Sequence, residues 1–324
     1  MNSQLRQDLV SGDWIVIAPK RAKKPEQFIK GEKRIKSPIK GCPFEYPRNY
    51  AENNAKLRGK NNWQVKIIEN KYPAFIHKEI CPEVFKNGPY SVVEAIGHHD
   101  LVITKDHHKN FPLLDKQSAN LVFQEFQKHY RTLAKDSCSA YISIFHNWGP
   151  KAGASVYHPH YQIISIPVIP PDIDHSLSGS ADYFKKNKKC VHCVMIEWEK
   201  KIRRRIVYEN KGAVVFTPFV SREPFELRIF LKKHSSYFED ALKKDLEFMV
   251  DALQKSLMKI KTKLKDSDYN FFIHTAPILN KKNHKHYHWH IEIQPKISIS
   301  AGFELGTGIE ITVVDPDEAA KILK

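Results

Sequence analysis

The chain carries one pattern of chemistry-bearing residues twice, and that repetition limits its architecture more than any other feature. The first pass runs Cys42-x-x-Glu45, a strand pair, Asp106-His107-His108, a helix, a strand, and His158-Pro159-His160. The second runs Cys190-x-x-Cys193, a strand pair, Lys233-His234-Ser235, a helix, a strand, and His288-Trp289-His290. Local text agrees, since Val65-Lys66-Ile67-Ile68-Glu69-Asn70-Lys71 resembles Arg205-Ile206-Val207-Tyr208-Glu209-Asn210-Lys211. A self-similarity of this length predicts two related halves. We place them at residues 1–170 and 171–324, with Pro167, Pro170, Pro171 and a Ser-rich stretch marking the joint near 168–185.

Each half reads as α+β. Runs rich in β-branched and aromatic residues predict strands at Trp14–Ala18, Val65–Glu69, Ser91–Ala95, Ala140–Phe145, Tyr161–Ile166, Ala213–Thr217, Glu226–Leu231, Asn270–His274 and Tyr287–Ile293. Apolar residues recur at helical spacing in Ser118–Ala134 and Ser236–Leu264, predicting one long helix per half. The expected architecture is two antiparallel sheets lying side by side, each with its long helix.

Composition narrows the class. At 41% hydrophobic and 27% charged residues, the 324-residue chain is an ordinary globular one. It contains no apolar run near the ~20 residues that span a bilayer. Met1–Leu9 is polar and includes Arg6 and Asp8, unlike a secretory signal. These features predict a cytoplasmic protein with no membrane contact. The net charge of +16 comes from scattered lysines and reads as a solvated surface. No aromatic signature of RNA recognition accompanies it, which argues against a nucleic-acid partner. Of five cysteines, Cys81 and Cys138 stand alone and Cys190 and Cys193 form a C-x-x-C, a pattern that predicts metal binding before disulfides.

The segment Asn147 to Gln162 carries the most chemistry. On a strand, side chains alternate between faces, so His158, His160 and Gln162 share one. A loop with Gly149, Gly153 and Ser155 precedes them, and backbone N–H groups in such loops make anion-binding concavities. A neutral imidazole is a nucleophile near pH 7, and an amide can donate to a phosphoryl oxygen as charge develops. Displacement at phosphorus is therefore the predicted reaction, with Lys151 or Arg21 offsetting phosphate charge. By the same alternation, His286, His288, His290 and Glu292 share a face opposite Tyr287, Trp289, Ile291 and Ile293.

Asn147 through Gln162 resembles the active-site signature of the galactose-1-phosphate uridylyltransferase family, a branch of the histidine triad superfamily. The likeness extends to Arg6-Gln-Asp8…Gly12-Asp-Trp14 and on to Pro25 near the start, and to Tyr287-His-Trp-His-Ile-Glu-Ile293 and Ala301-Gly-Phe-Glu304-Leu-Gly-Thr-Gly308 near the end. The resemblance implies that His160 is the nucleophile and Gln162 its phosphate-orienting partner. It implies that Asn147, Gly153, Ala154 and Ser155 cradle the phosphates, and that Asn70 and the Arg21–Pro25 segment contact the nucleotide. His290 stands where the repeat has His160, behind no Gly-rich loop, and is read as a substrate-side or structural residue. The implied reaction is ping-pong. UMP passes from UDP-glucose to His160 and then to galactose 1-phosphate, so the partners are a nucleotide sugar and a sugar 1-phosphate. A homodimer is implied as well.

Two metal sites are expected, with zinc as the metal: Cys190, Cys193, His234 and His288 in the second half, and Cys42, Glu45, His107 and His158 in the first. Glu45 stands where the family has a second Cys, which makes the first site the weaker expectation, and His108 is a possible substitute for His107. His274 is a further candidate for metal or phosphate contact, while His77, His98, His99 and His129 read as surface or strand residues.

Three other readings stand beside uridylyl transfer. ADP-glucose phosphorylases share the His-Pro-His nucleophile, the paired metal pattern and the closing motif; Glu310 stands about where classical uridylyltransferases carry Gln, which leaves the acceptor open. A histidine triad hydrolase would have a third His at the position of Gln162. A nucleotide- or RNA-binding protein would not need to keep the nucleophile and its loop.

Overall fold

Two long helices cover one face of the molecule because their apolar residues fall on a single stripe. In α1 (Lys116–Leu133), Val122, Phe123, Phe126, Tyr130 and Leu133 are buried, and Asp115 caps the first turn by accepting from the Ser118 N–H at 2.9 Å. In the fourth helix in chain order (Lys243–Lys263), Leu246, Met249, Val250, Leu253, Leu257 and Ile260 are buried. Burying each such side chain contributes roughly 1.5–3 kcal/mol. The two helices pack on each other and on one continuous sheet, and a single apolar cluster spans both sets of residues.

The computed structural model describes residues 2–21, 34–45 and 63–324. Its strands are β1 (Gln4–Gln7), β2 (Trp14–Ile17), β3 (Val65–Glu69), β4 (Phe85–Asn87), β5 (Tyr90–Val92), β6 (His98–Thr104), β7 (Tyr141–Trp148), β8 (His160–Ile166), β9 (Ile206–Glu209), β10 (Ala213–Phe216), β11 (Leu227–Leu231), β12 (Tyr269–His274), β13 (His290–Pro295) and β14 (Ile311–Thr312). The remaining helices are α2 (Pro171–Asn187), α3 (Val191–Ile202), α5 (Gly302–Thr307) and α6 (Pro316–Leu323), with Lys243–Lys263 as α4.

Nine strands form one sheet in the order β3-β6-β8-β7-β12-β13-β11-β10-β9. The order mirrors itself about the β7–β12 seam: β6-β8-β7 on one side corresponds to β11-β13-β12 on the other. That seam pairs Ile144 with Ile273 and Trp148 with Tyr269, antiparallel. The two sheets expected side by side are thus joined edge to edge. A smaller sheet, β1-β2-β14, is tied down by the buried Arg6–Asp315 ion pair at 2.8 Å.

Several expectations need correction. The Pro- and Ser-rich stretch is helical, with no helix foreseen there: Pro171 sits at the first turn of α2, where its missing N–H costs nothing. Helix α3 was not foreseen, and neither was β6, whose Asp100–Thr104 run is buried throughout and so lacks alternation. Tyr287 to Trp289 precede the last long strand, which begins at His290. Cys81 and Cys138 do not stand alone but form a disulfide, which ties the segment before β4 to the turn after α1.

Among the described residues, no helix is long and apolar enough to cross a membrane.

Candidate active site

The face of the sheet turned away from α1 and α4 is where the expected residues meet. On β8, Tyr161 and Ile163 point into the core under α1, so His160 and Gln162 share the opposite face. The register that pairs His146 with Tyr161 brings Asn147, at the end of β7, beside His160. His160 is buried, its ring centroid 5.1 Å from that of Phe44. Its Nδ1 lies 2.9 Å from the carbonyl oxygen of His158. A carbonyl only accepts, so Nδ1 carries the proton and Nε2 holds the lone pair. Burial also lowers the pKa of His160, which favours the neutral ring. The backbone of His160 is itself held, with its carbonyl 2.7 Å from Nδ1 of the buried His146.

The loop from Gly149 to Ser155 follows β7. Gly149 and Gly153 have φ of +88° and +85°, conformations that side chains rarely adopt. A Cβ on Gly149 would stand 2.1 Å from the Asp268 carboxyl carbon. That close approach lets Asp268 accept from the Lys151 N–H at 2.8 Å while its other oxygen meets Arg34 at 2.7 Å. The Arg34 guanidinium lies 4.4 Å above the Trp148 ring. Asn147 faces this turn, a Cβ on Gly153 standing 3.8 Å from its Nδ2, and Gly153 and Ser155 are exposed.

Gln162 Oε1 lies 2.9 Å from Nε2 of His99, and the Asn70 side chain reaches the same nitrogen at 3.0 Å. His99, read as a surface or strand residue and lying on β6, thus contacts two of the expected site residues. Nothing in the sequence flagged it, because its partner Gln162 is 63 residues away. Asn270, Asp268 and Phe44 were missed for the same reason. Of the other histidines read as plain, His129 pairs with Asp100 at 2.6 Å, and His98 and His77 face Asp136 at 2.9 and 3.5 Å. Arg21 is exposed at the end of a short 3-10 turn; the rest of the Arg21–Pro25 segment lies outside the described residues.

In the first metal-ligand set, Cys42, His107 and His158 bring one ligand atom each within 4.8 Å of the others, and Glu45 approaches the two histidines. His107 Nδ1 lies 3.2 Å from His158 Nδ1, Cys42 Sγ is 3.6 Å from His158 Nδ1, and Glu45 Oε1 is 3.1 and 3.4 Å from the two imidazole nitrogens. A tetrahedral zinc with 2.0–2.3 Å bonds has ligand–ligand edges of roughly 3.3–3.8 Å. His158 Nε2 donates to the Thr104 carbonyl and His107 Nε2 to the Ser37 carbonyl, so both Nδ1 lone pairs face the centre. Two facing lone pairs and a carboxylate oxygen with no hydrogen-bond donor fit a cation. Glu45 thus fits the place of the absent cysteine, and His107, not His108, faces the centre.

Cys190, Cys193, His234 and His288 bring one ligand atom each within 4.8 Å of the others. His234 Nδ1 and His288 Nδ1 stand 3.4 and 3.6 Å from Cys193 Sγ, and His234 Nε2 donates to the Lys285 carbonyl. Burial pushes the His288 pKa down to about 4, and the hydrogen bond shared with Cys193 lowers that of Cys190 while raising that of Cys193. A neutral imidazole and a thiolate are the forms that bind metal.

His290 is not brought to His160. Strands β7 and β12 intervene, a separation of roughly 14 Å at ordinary strand spacing. Its Nδ1 donates to the His288 carbonyl at 3.0 Å, the same bond His160 makes, but its ring is stacked between Phe230 and His274. His274 in turn lies 3.7 Å from Glu292, beside Arg228.

Residues 54–323 match a family model described as a domain of unknown function, DUF4921. The ADP-glucose phosphorylase of Arabidopsis thaliana is 32% identical over 99% of this chain and 92% of its own length. The galactose-1-phosphate uridylyltransferase of Thermotoga maritima is 27% identical over 99% and 98%. The crystal structure of the Arabidopsis thaliana phosphorylase with bound ADP-glucose superposes with a TM-score of 0.84 at 29% identity, covering 99% of this chain and 98% of that one. Since the likeness runs from end to end and takes in both kinds of enzyme, the chain belongs to the galactose-1-phosphate uridylyltransferase family of histidine-triad-like nucleotidyltransferases.

Proposed function

We propose that the protein moves a nucleoside monophosphate from a nucleotide sugar to a phosphate acceptor through a covalent bond to His160. The carrying observation is the His160 Nδ1–H bond to the His158 carbonyl, which leaves a neutral Nε2 beside two amide donors and a glycine turn. Nε2 attacks the α-phosphorus, and the P–O bond to the sugar phosphate breaks. The leaving group is a phosphate ester oxygen, so no strong general acid is needed. The acceptor phosphate then attacks the same phosphorus, and the P–N bond returns its electron pair to Nε2. Gln162 and Asn147 donate to the phosphoryl oxygens as charge develops on them.

We assign the nucleotide as AMP, taken from ADP-glucose and passed to orthophosphate to give ADP and glucose 1-phosphate. Support comes from the 32% identity to the Arabidopsis thaliana phosphorylase and from Glu310 in place of a classical Gln. UMP transfer from UDP-glucose to galactose 1-phosphate is the second reading, supported by the end-to-end match to the Thermotoga maritima uridylyltransferase.

Zinc is the proposed metal at both ligand sets, where its chemistry is structural. Cys42 and Glu45 would be clamped to His158, which keeps Phe44 against His160 and fixes the start of β8. A cytoplasmic homodimer completes the proposal; exposed Ile299, Phe303 and Leu305 and the exposed Arg21 suit a partner surface.

Incubation with α-phosphate-labelled ADP-glucose and UDP-glucose in parallel tests the reading. Acid-labile, base-stable label from ADP-glucose is expected; label from UDP-glucose alone selects the second reading, and label from neither removes both.

A further inference from the structure

Gln162 and Asn147 share a difficulty. A carboxamide has a carbonyl on one side and an NH2 of nearly the same shape on the other, and only the NH2 can serve a phosphoryl oxygen. Nothing within either side chain dictates which end faces His160. In this structure the choice is made from outside. Each amide is turned by a neighbour whose own orientation is fixed by a backbone group, and a backbone group cannot reverse its polarity.

For Gln162 the chain of constraint starts at Ala74. Its N–H donates to His99 Nδ1 at 3.1 Å, so that nitrogen is unprotonated and the neutral ring carries its proton on Nε2. Asn70 does not take this proton: its Oδ1 is turned to the Tyr72 N–H at 3.0 Å, which leaves its NH2 3.0 Å from Nε2 as a donor facing a donor and not as a hydrogen bond. The proton therefore goes to Gln162 Oε1 at 2.9 Å. With its carbonyl committed to His99, Gln162 has its NH2 left for the reacting phosphate.

For Asn147 the constraint starts at Ala152. That carbonyl accepts from Asn270 Nδ2 at 2.8 Å, and the same NH2 donates to Asn147 Oδ1 at 2.8 Å. Asn147 thereby shows its NH2 to the glycine turn, where a Cβ on Gly153 would stand 3.8 Å from Nδ2. Asn270 lies on β12, in the half that lacks the nucleophile. Its contact ties the C-terminal half to the surroundings of His160 through Asn147.

We infer that His99 and Asn270 are positioning residues that fix the donor ends of Gln162 and Asn147 toward the transferred phosphate. The inference rests on the nucleotidyl transfer proposed above. Removing one donor to a developing oxyanion costs ~10²–10³ in rate, so leaving one free to present its wrong end costs less, about 10–100-fold. A residue with only a packing role would instead lower stability and slow every background equally.

The test is a double-mutant cycle on full-length, zinc-replete protein, reading the single-turnover rate of label transfer from nucleotide sugar to His160. His99→Leu should slow labelling about 10–100-fold with little change in the substrate concentration for half-maximal rate. His99→Gln, which keeps an N–H for Gln162, should recover most of the rate. In a Gln162→Ala background, His99→Leu should cost less than about twofold, because no amide remains to be turned. Asn270→Leu with Asn147→Ala gives a second cycle of the same form, so the outcome does not hang on one variant folding. Full activity of His99→Leu and Asn270→Leu, or equal losses in the alanine backgrounds, overturns the inference while the transfer reading stands. Wild-type protein that takes no label from either nucleotide sugar overturns both.

Discussion

At His160 a single proton decides what the side chain can do. Given to the His158 carbonyl, it leaves the lone pair on Nε2, the atom proposed to attack phosphorus, and no other group is required to choose the tautomer. Replacing His160 with Asn should lower transfer by at least ~10³-fold, since the covalent step is lost. The melting temperature should stay within about 2 °C, a shift of roughly 1 kcal/mol or less. Turnover near the wild-type rate in a well-folded His160→Asn protein would remove the residue from the chemistry. His160, Gln162 and the glycine turn stood out in the sequence because strand alternation and glycine spacing mark them, while Asn147 came in with the family resemblance. His99, Asn270 and Asp268 did not stand out. Each acts through a partner more than 60 residues distant, and a lone His or Asn carries no local mark of what it will meet.

Among elements, the turn from Gly149 to Gly153 is the most constrained. Gly149→Ala would place a Cβ against Asp268 at a φ of +88°. Backbone strain and overlap together predict a loss of roughly 2–4 kcal/mol, or about 5 °C or more in melting temperature, with slower transfer. A Gly149→Ala protein of wild-type stability and rate would show that the turn does not need its present shape. The metal-ligand sets join elements that would otherwise meet loosely. Elemental analysis should find about two zinc per chain, falling to about one in Glu45→Ala and, separately, in Cys190→Ala. Two zinc retained in Glu45→Ala would return Glu45 to the status of a bystander. The long helices were readable because α1 and α4 carry deep apolar stripes. Helix α2, with prolines at its start and serines in its body, shows only Ile173, Leu177 and Ser180 buried, too faint a stripe to outweigh its breakers.

The molecule as a whole is organised around the β7–β12 seam. The repeat in the sequence announced two halves, but a repeat says nothing about how its copies join. Here the seam closes one sheet under α1 and α4 and sets Asn270 beside Asn147, so neither half is independent of the other. Unfolding in urea should accordingly be one transition, coincident by tryptophan fluorescence and far-ultraviolet circular dichroism. Two separated transitions would mean that the halves are held apart more than the shared core implies. Whether this sheet exists to present an imidazole to phosphorus is settled most directly by the mass of the intact protein after exposure to ADP-glucose without acceptor. A gain of one AMP, mapped to His160, absent in His160→Asn and discharged by orthophosphate, is the expected result. An unchanged mass with every nucleotide sugar tried, or an adduct on any other residue, would contradict it.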